Sequence, residues 1–147
     1  REQVEFLVAG HAGVAPRPLS KVASGGELSR ISLAIRVVTA QQGDMPTMIF
    51  DEVDVGIGGG VAEVVGQLLK TLGNQRQVLV ITHLPQVAAQ GMQHLRVSKH
   101  LHDGQTLSRI EALTHTQRID EVARMLGGVE ITETTLQHAS EMLAAGA

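Results

Sequence analysis

Two short apolar runs with a helix-like segment between them constrain the fold more than any other feature of this sequence. Thr47–Phe50 reads TMIF, Val78–Ile81 reads VLVI, and Val61–Leu72 between them has the pattern of a helix. Apolar runs of this length, bounded by turn residues, are typical of strands buried on both faces. Strand, helix and strand in this order predict a βαβ unit with parallel strands and a right-handed crossover.

Polar side chains follow both predicted strands. Asp51 and Glu52 come directly after the first strand, and His83 closes the second. Ligands of open parallel sheets bind beyond the carboxyl ends of the strands, so these side chains share one edge if the strands are neighbours. One carboxylate there can hold Mg²⁺ through its water shell, a second can orient or deprotonate water, and the imidazole can contact a phosphate. The alternative is that the two acids merely end a strand in solvent.

The segment SGGELSR at residues 24–30 opens a predicted helix. Ser24 and Glu27 have the spacing of a capping box, which is the simplest interpretation. That interpretation leaves Gly25 and Gly26 unexplained, because adjacent glycines lower helix propensity. Glycines at a helix N-terminus let an anion approach free backbone N–H groups, so the segment also fits a phosphate cradle. Glu27 argues against a phosphate lying directly on it, unless its side chain turns away or bonds a ribose.

The remaining segments complete an α/β domain over residues 1–147, with a mainly parallel sheet flanked by helices. They predict, in chain order, a strand at Val4–Val8, a loop at 9–23, a largely buried helix from Gly26 to about Gln41, a short helix at Leu84–Gln90, a strand pair at His94–Ser98 and Thr106–Leu113 turning at Asp103-Gly104, and amphipathic helices at Thr116–Leu126 and Thr132–Leu143.

Composition excludes several classes of function. The chain has no cysteine, which excludes disulfides and thiolate metal sites, and its net charge of −3 gives no strong basic field for DNA. Phe6 and Phe50 are its two aromatic residues, so base stacking on aromatic platforms is not available. No apolar run has membrane-spanning length and no signal peptide is evident. Because the chain opens with Arg1, we expect a fragment of a longer protein.

The sequence has no motif that would hold a triphosphate by itself. A P-loop requires lysine directly after glycine, and Lys21, Lys70 and Lys99 do not meet this condition. The glycine-rich turn Gly56–Gly60 also fails the dinucleotide pattern, because Val61 stands where the third glycine belongs.

Four motifs together resemble those of ABC-type ATPases. SGGELSR at 24–30 resembles the signature motif, TMIFDE at 47–52 the Walker B strand, VDVGIGG at 53–59 the D-loop, and ITH at 81–83 the switch histidine. Their order and spacing resemble the carboxyl-terminal lobe of an SMC-like head. The segments LSKVASGGELSR, FDEVDVGIGG and QVLVITHLPQVAAQG are similar to those of bacterial DNA repair members of that group.

This resemblance implies a head split into an amino-terminal P-loop lobe, a long antiparallel coiled coil and the present lobe. Two such heads close as a homodimer around two ATP molecules, and each ATP is held by the P-loop of one head and the signature motif of the other. The signature residues acting in trans would be Ser24, Gly25, Gly26 and Glu27. The complete protein would act on DNA in double-strand break repair, in the cytoplasm and at the nucleoid.

The resemblance also implies individual roles at the sheet edge. Asp51 would support Mg²⁺ through water, Glu52 would polarise the attacking water, and His83 would contact the γ-phosphate. Asp54 would lie at the dimer seam. Without a P-loop the isolated chain would be inactive, and the alternative function is a non-catalytic dimerisation or docking lobe.

Two further groups of polar residues allow a simpler interpretation. His100 and His102 share one face of a predicted strand and could form a metal pair, but no third ligand is evident, which favours exposed histidines. Arg118, Glu121 and Arg124 are expected to form a solvated charged face rather than a DNA-binding surface.

Overall fold

The computed structural model describes residues 4–9, 13–21, 25–42, 45–51, 54–127 and 130–146. Helices and strands alternate through most of this part of the chain. In chain order the elements are β1 (Leu7–Val8), β2 (Arg17–Pro18), α1 (Gly25–Gln42), β3 (Thr47–Phe50), α2 (Gly59–Gly73), β4 (Gln77–Val80), α3 (Pro85–Ala88), β5 (Leu95–His102), β6 (Gln105–Ala112), α4 (His115–Gly127) and α5 (Glu133–Ala145).

The predicted order of strand, helix and strand is confirmed, and so is the parallel pairing of the two strands. β3 and β4 pair in parallel from Thr47↔Gln77 to Phe50↔Val80. The backbone N–H of Ile81 donates to the carbonyl of Phe50 at 2.9 Å, which extends the hydrogen bonding one residue beyond β4. The carboxyl ends of the two strands therefore lie side by side.

The prediction that these strands are buried on both faces is wrong. Phe50 is 3% exposed and packs into a core cluster, whereas Ile49 is 67% exposed and Leu79 is 44% exposed. Successive residues of a strand point to opposite faces. Within the described residues the apolar cluster covers one face of the pair, so every second apolar side chain remains in contact with solvent.

The core cluster beside this sheet draws on three helices. Its buried members are Leu33, Val37, Phe50, Ala62, Val65, Leu69, Leu72 and Val87. The predicted helix is confirmed as α1, but its expected burial is not: Leu33 and Val37 are buried, while Leu28 is 42% exposed and Val38 is 56% exposed. Residues four apart share one face of a helix, so α1 meets the cluster along a single stripe.

The carboxyl-terminal helices form a second cluster. It consists of Ala89, Val122, Ala123, Ala139 and Leu143. The capping box of α5 fixes its start, because Thr132 accepts from the Thr135 N–H and donates its own N–H to the Thr135 hydroxyl. The Lys70 ammonium group of α2 donates a hydrogen bond to the carbonyl oxygen of Gly146, which joins the end of α5 to the helix that carries part of the first cluster.

The predicted strand pair is an antiparallel hairpin, with β5 and β6 in register from Leu95↔Ala112 to His102↔Gln105. Asp103 and Gly104 form the turn with φ of 49° and 76°. Positive φ at both central residues matches the right-handed twist of the flanking strands, as in type I′ turns.

The amino-terminal region differs from its prediction. The strand is confined to β1, and the segment predicted as a loop contains β2 and a 3₁₀ turn at Leu19–Lys21. Pro18 lacks an N–H group, but an edge position tolerates this, so the proline did not exclude a strand. No described helix combines the length and the hydropathy needed to cross a bilayer.

Candidate active site

The parallel register brings functional residues of two loops to one edge of the sheet. Asp51 follows Phe50, and Phe50 is paired with Val80, so Asp51 and the segment Thr82-His83 leave the sheet on the same side. Asp51 is exposed at this edge. Glu52, the expected catalytic base, lies outside the described residues.

Among the described acidic side chains of this edge, Asp54 is the most tightly held. It is 5% exposed, and two hydrogen-bond donors and one imidazole nitrogen lie close to its Oδ2 atom. The Thr82 hydroxyl donates to this oxygen at 2.7 Å, the His83 backbone N–H donates at 2.6 Å, and His83 Nδ1 lies 2.8 Å away. The loop after β3 is therefore fastened to the loop after β4 through one carboxylate.

The hydrogen bonds keep this buried carboxylate ionised. Burial alone would raise the pKa of Asp54, but the donors from Thr82 and His83 outweigh burial and lower the pKa below its ordinary value. A buried charge is stable only where it is paired and hydrogen-bonded, and both conditions are met here.

Thr82 completes the network, and sequence reasoning gave it no role. Its hydroxyl donates to Asp54 and accepts the N–H of Leu84 at 3.0 Å, which positions the start of α3. Its position between an apolar strand and a candidate histidine could have indicated this role, since a threonine hydroxyl can both donate and accept a hydrogen bond.

His83 has one ring nitrogen in the network and most of its surface in solvent. Its side chain is 76% exposed although Nδ1 faces Asp54. The two ring nitrogens lie on different sides of the imidazole, so Nε2 belongs to the exposed part of the ring. This arrangement suits contact with a ligand, which stays a prediction because the structure contains none.

The signature segment is described only from its second residue onward. α1 begins at Gly25, so Gly25 and Gly26 are its first helical residues, with their N–H groups at the N-terminus of the helix. Glu27 lies in the same turn, and its side chain is not described. Ser24 lies outside the described residues, so both the capping box and the phosphate cradle stay predictions.

His100 and His102 have neighbours that leave the metal-pair alternative without support. His100 Nε2 lies 2.9 Å from the Ser98 hydroxyl, and His102 Nε2 lies 3.5 Å from Asp103. No three His, Asp or Glu side chains of the described ranges are grouped to hold a metal ion.

The prediction that α4 presents a solvated charged face is wrong for Glu121, which is 5% exposed. Its carboxylate lies 2.6 Å from Arg124 Nη2 and 3.7 Å from Arg96 Nη1. The hydrogen bond from Arg124 is the main cause of the lowered pKa of Glu121. Arg118 donates to the carbonyl of Met92, so it also serves the structure. Glu121 is not solvated as expected because Arg96, on strand β5 of the hairpin, extends towards α4 and lies beside its carboxylate.

The chain is similar over almost its whole length to known DNA repair proteins. It is 56% identical over 142 residues to the DNA repair protein RecN of Xylella fastidiosa, covering 97% of this chain and 26% of that relative. It is 55% identical over 144 residues to the DNA repair protein RecN of Vibrio cholerae, covering 98% of this chain and 26% of that protein. The chain thus spans about a quarter of the length of these relatives. No protein-family model matches it.

Solved structures show the same fold. A structure from work on ATP-driven dimerization and DNA-stimulated activation of SMC ATPases superposes with a TM-score of 0.65 at 22% identity, covering 81% of this chain and 71% of that chain. The Smc head domain with a coiled coil and joint from Pyrococcus yayanosii gives 0.61 at 24% identity, covering 74% and 20% respectively. Nearly the whole of this chain is therefore similar to one segment of the RecN DNA repair proteins, and it has the fold of an SMC ATPase head.

Proposed function

We propose that this chain forms one side of an ATP-hydrolysing site between two heads of a DNA double-strand break repair protein. The observation that carries the proposal is the in-register parallel pair β3–β4, which sends Asp51 and His83 to the same edge of the sheet. An acid at the carboxyl end of one parallel strand and a histidine at the end of its neighbour suit a phosphate with its metal ion.

Three residues of this edge receive distinct roles. Asp51 holds Mg²⁺ through water, Glu52 polarises the attacking water, and His83 contacts the γ-phosphate. Asp51 fits the metal because it is an exposed oxygen ligand, and Mg²⁺ is commonly held by one or two carboxylates together with phosphate oxygens and water. The ion would neutralise charge on the phosphates of ATP.

The signature segment acts on the ATP of the other head. The N–H groups of Gly25 and Gly26 are at the N-terminus of α1, where the helix dipole favours a phosphate. Ser24 and Glu27 complete the segment in this proposal. The residues around Asp54 lie at the seam between the heads.

The partners follow from the same arrangement. The P-loop lobe of the same protein binds the triphosphate, the two heads form a homodimer, and DNA is bound by the whole protein in the cytoplasm. The isolated chain is inactive on its own. SMC ATPase structures with this fold and relatives named for DNA repair support the proposal.

The test is hydrolysis of ATP by the full-length protein that carries this chain, with Glu52→Gln as the variant. We expect turnover to fall by about a hundredfold or more, because a positioned base contributes that much, while ATP binding persists and closed dimers accumulate. Glu63→Gln is the matched control, since Glu63 is an exposed glutamate on α2.

Rapid turnover by Glu52→Gln would contradict the role of Glu52 as the base. Mixing this chain with a separately made P-loop lobe distinguishes the alternative. Turnover that appears only on mixing supports the split site, whereas binding without turnover would show a docking lobe that needs no catalysis.

A further inference from the structure

We propose that Asp54 is a positioning residue for His83: it fixes the orientation and the proton position of the imidazole that meets the phosphate. The part of this inference that concerns the phosphate rests on the proposed function. The part that concerns the imidazole rests on the geometry of Asp54 and His83 alone.

The first step is the convergence of two hydrogen-bond donors and one imidazole nitrogen on a single carboxylate oxygen. Thr82 Oγ1, His83 N and His83 Nδ1 lie 2.7, 2.6 and 2.8 Å from Asp54 Oδ2. Two of these three atoms belong to His83 itself, so the carboxylate is hydrogen-bonded to the backbone of this residue and in contact with its ring. A histidine held at two points loses the freedom to turn its ring away from the edge of the sheet.

The second step is the proton. The Asp54 carboxylate is ionised and can only accept, so Nδ1 of His83 must carry hydrogen. In the neutral ring Nε2 is then an acceptor, and in the protonated ring Nε2 becomes a donor while Nδ1 keeps its contact with Asp54. An ionised phosphate oxygen also accepts, so a hydrogen bond from His83 to a phosphate requires hydrogen on both ring nitrogens, with Nδ1 towards the acid and Nε2 towards the ligand.

The third step is coupling between the two loops. Asp54 stands three residues after Asp51 in the sequence that follows β3, whereas His83 follows β4. A displacement of the first loop that moves Asp54 also turns the imidazole. The orientation of the group that contacts the phosphate thus depends on the loop that carries the proposed metal ligand and base.

A double-mutant cycle in the full-length protein tests whether Asp54 acts through His83. Asp54→Asn keeps the side-chain shape and removes the charge. We expect it to lower kcat for ATP by about tenfold or more, as losing an outer partner of a functional histidine does, with little change in KM. In the His83→Ala background, the same substitution should change kcat by less than about twofold, because the residue it positions is gone.

Asp103→Asn is the matched control, since Asp103 also pairs with a histidine but has a 91% exposed side chain. It should leave kcat unchanged. An equal loss from Asp54→Asn in both His83 backgrounds would overturn the proposal.

Histidine ¹⁵N spectroscopy of the nucleotide-free protein supplies a measurement that needs no ATPase activity. The signals of His83 are identified by their loss in His83→Ala. We expect the neutral ring to carry its proton on Nδ1 and to move it towards Nε2 in Asp54→Asn. A neutral His83 ring with its proton on Nε2 in the unaltered protein would refute the positioning role. A protein that hydrolyses no ATP but has the Nδ1–H signature would refute the proposed function and leave the positioning role standing.

Discussion

Two histidine–aspartate pairs occur in this chain, and their surroundings differ sharply. His83 Nδ1 lies 2.8 Å from Asp54, whose side chain is 4% exposed. His102 Nε2 lies 3.5 Å from Asp103, and these side chains are 73% and 91% exposed. The same residue types give a held imidazole at the end of the parallel strands and a loose, solvated pair at the tip of the hairpin.

The difference arises from how each acid reaches its place. Asp54 and His83 are 29 residues apart and meet because two parallel strands end together. Asp103 is next to His102 in sequence and occupies a turn position with φ of 49°. Aspartate tolerates positive φ, so the backbone of the turn accounts for an aspartate at position 103. The hydrogen bonds from Thr82 and His83 account for the aspartate at position 54. A histidine and an aspartate that are merely adjacent in sequence therefore do not form a buried, fixed pair.

The largest expected effect is a difference in the free energy of unfolding when aspartate is replaced by asparagine at Asp54 and, separately, at Asp103. Asp54→Asn should lower the free energy of unfolding by about 2 kcal/mol, because hydrogen bonds to a buried charge are lost. Asp103→Asn should change it by less than about 0.5 kcal/mol, because exposed ion pairs contribute little. Chemical denaturation of both variants at neutral pH measures the difference, and equal losses would remove the contrast between the pairs.

The pH dependence of the same experiment sharpens this result. The pKa of Asp54 is lowered in the folded state, so its contribution is complete above the ordinary value of 3.8 and disappears as pH falls through the folded value. The unaltered protein and Asp54→Asn should therefore become more alike in stability under acidic conditions.

A smaller effect is expected where the hairpin meets α4. Glu121→Gln should cost about 1.5 kcal/mol, because the carboxylate is buried while its partners Arg96 and Arg124 are 41% and 58% exposed at their side chains. Asp120→Asn, on the exposed side of the same helix, is the control. Thermal unfolding of both variants measures this, and indistinguishable midpoints would show that the hairpin does not depend on Glu121.

The smallest expected effect concerns His94, at the start of the hairpin. Burial, together with the charge of Arg118 and to a lesser degree that of Arg96, lowers the pKa of His94, while Glu121 opposes this. The folded state thus prefers the neutral ring, and stability is lost as pH falls below the ordinary value of 6.5.

His94→Gln should therefore flatten the stability profile below pH 6.5 by less than about 1 kcal/mol per pH unit. His138→Gln, an exposed histidine on α5, should leave the profile unchanged. A slope that persists in His94→Gln would assign the titration to another group.

Local patterns in the sequence predicted local structure well. Thr47–Phe50 was predicted with the bounds that the structure gives, and Asp103-Gly104 was predicted as the turn, because short apolar runs and paired turn residues act through the backbone nearby. The exposure of Ile49 was not predicted, since it depends on what packs over the sheet. The burial of Glu121 and the donors on Asp54 depend on side chains distant in sequence, and no local pattern encodes them.

The contact of Lys70 with the Gly146 carbonyl has a consequence for the order of folding. The first core cluster is built from residues 33–87 and the second from residues 89–143, so each can condense from one continuous segment. The Lys70–Gly146 bond joins residues 76 apart, and loop-closure entropy opposes such a contact until both clusters exist. The joining of α5 to α2 is then a late step in folding. In the native ensemble, amide hydrogens at the end of α5 should exchange with solvent before those of α2.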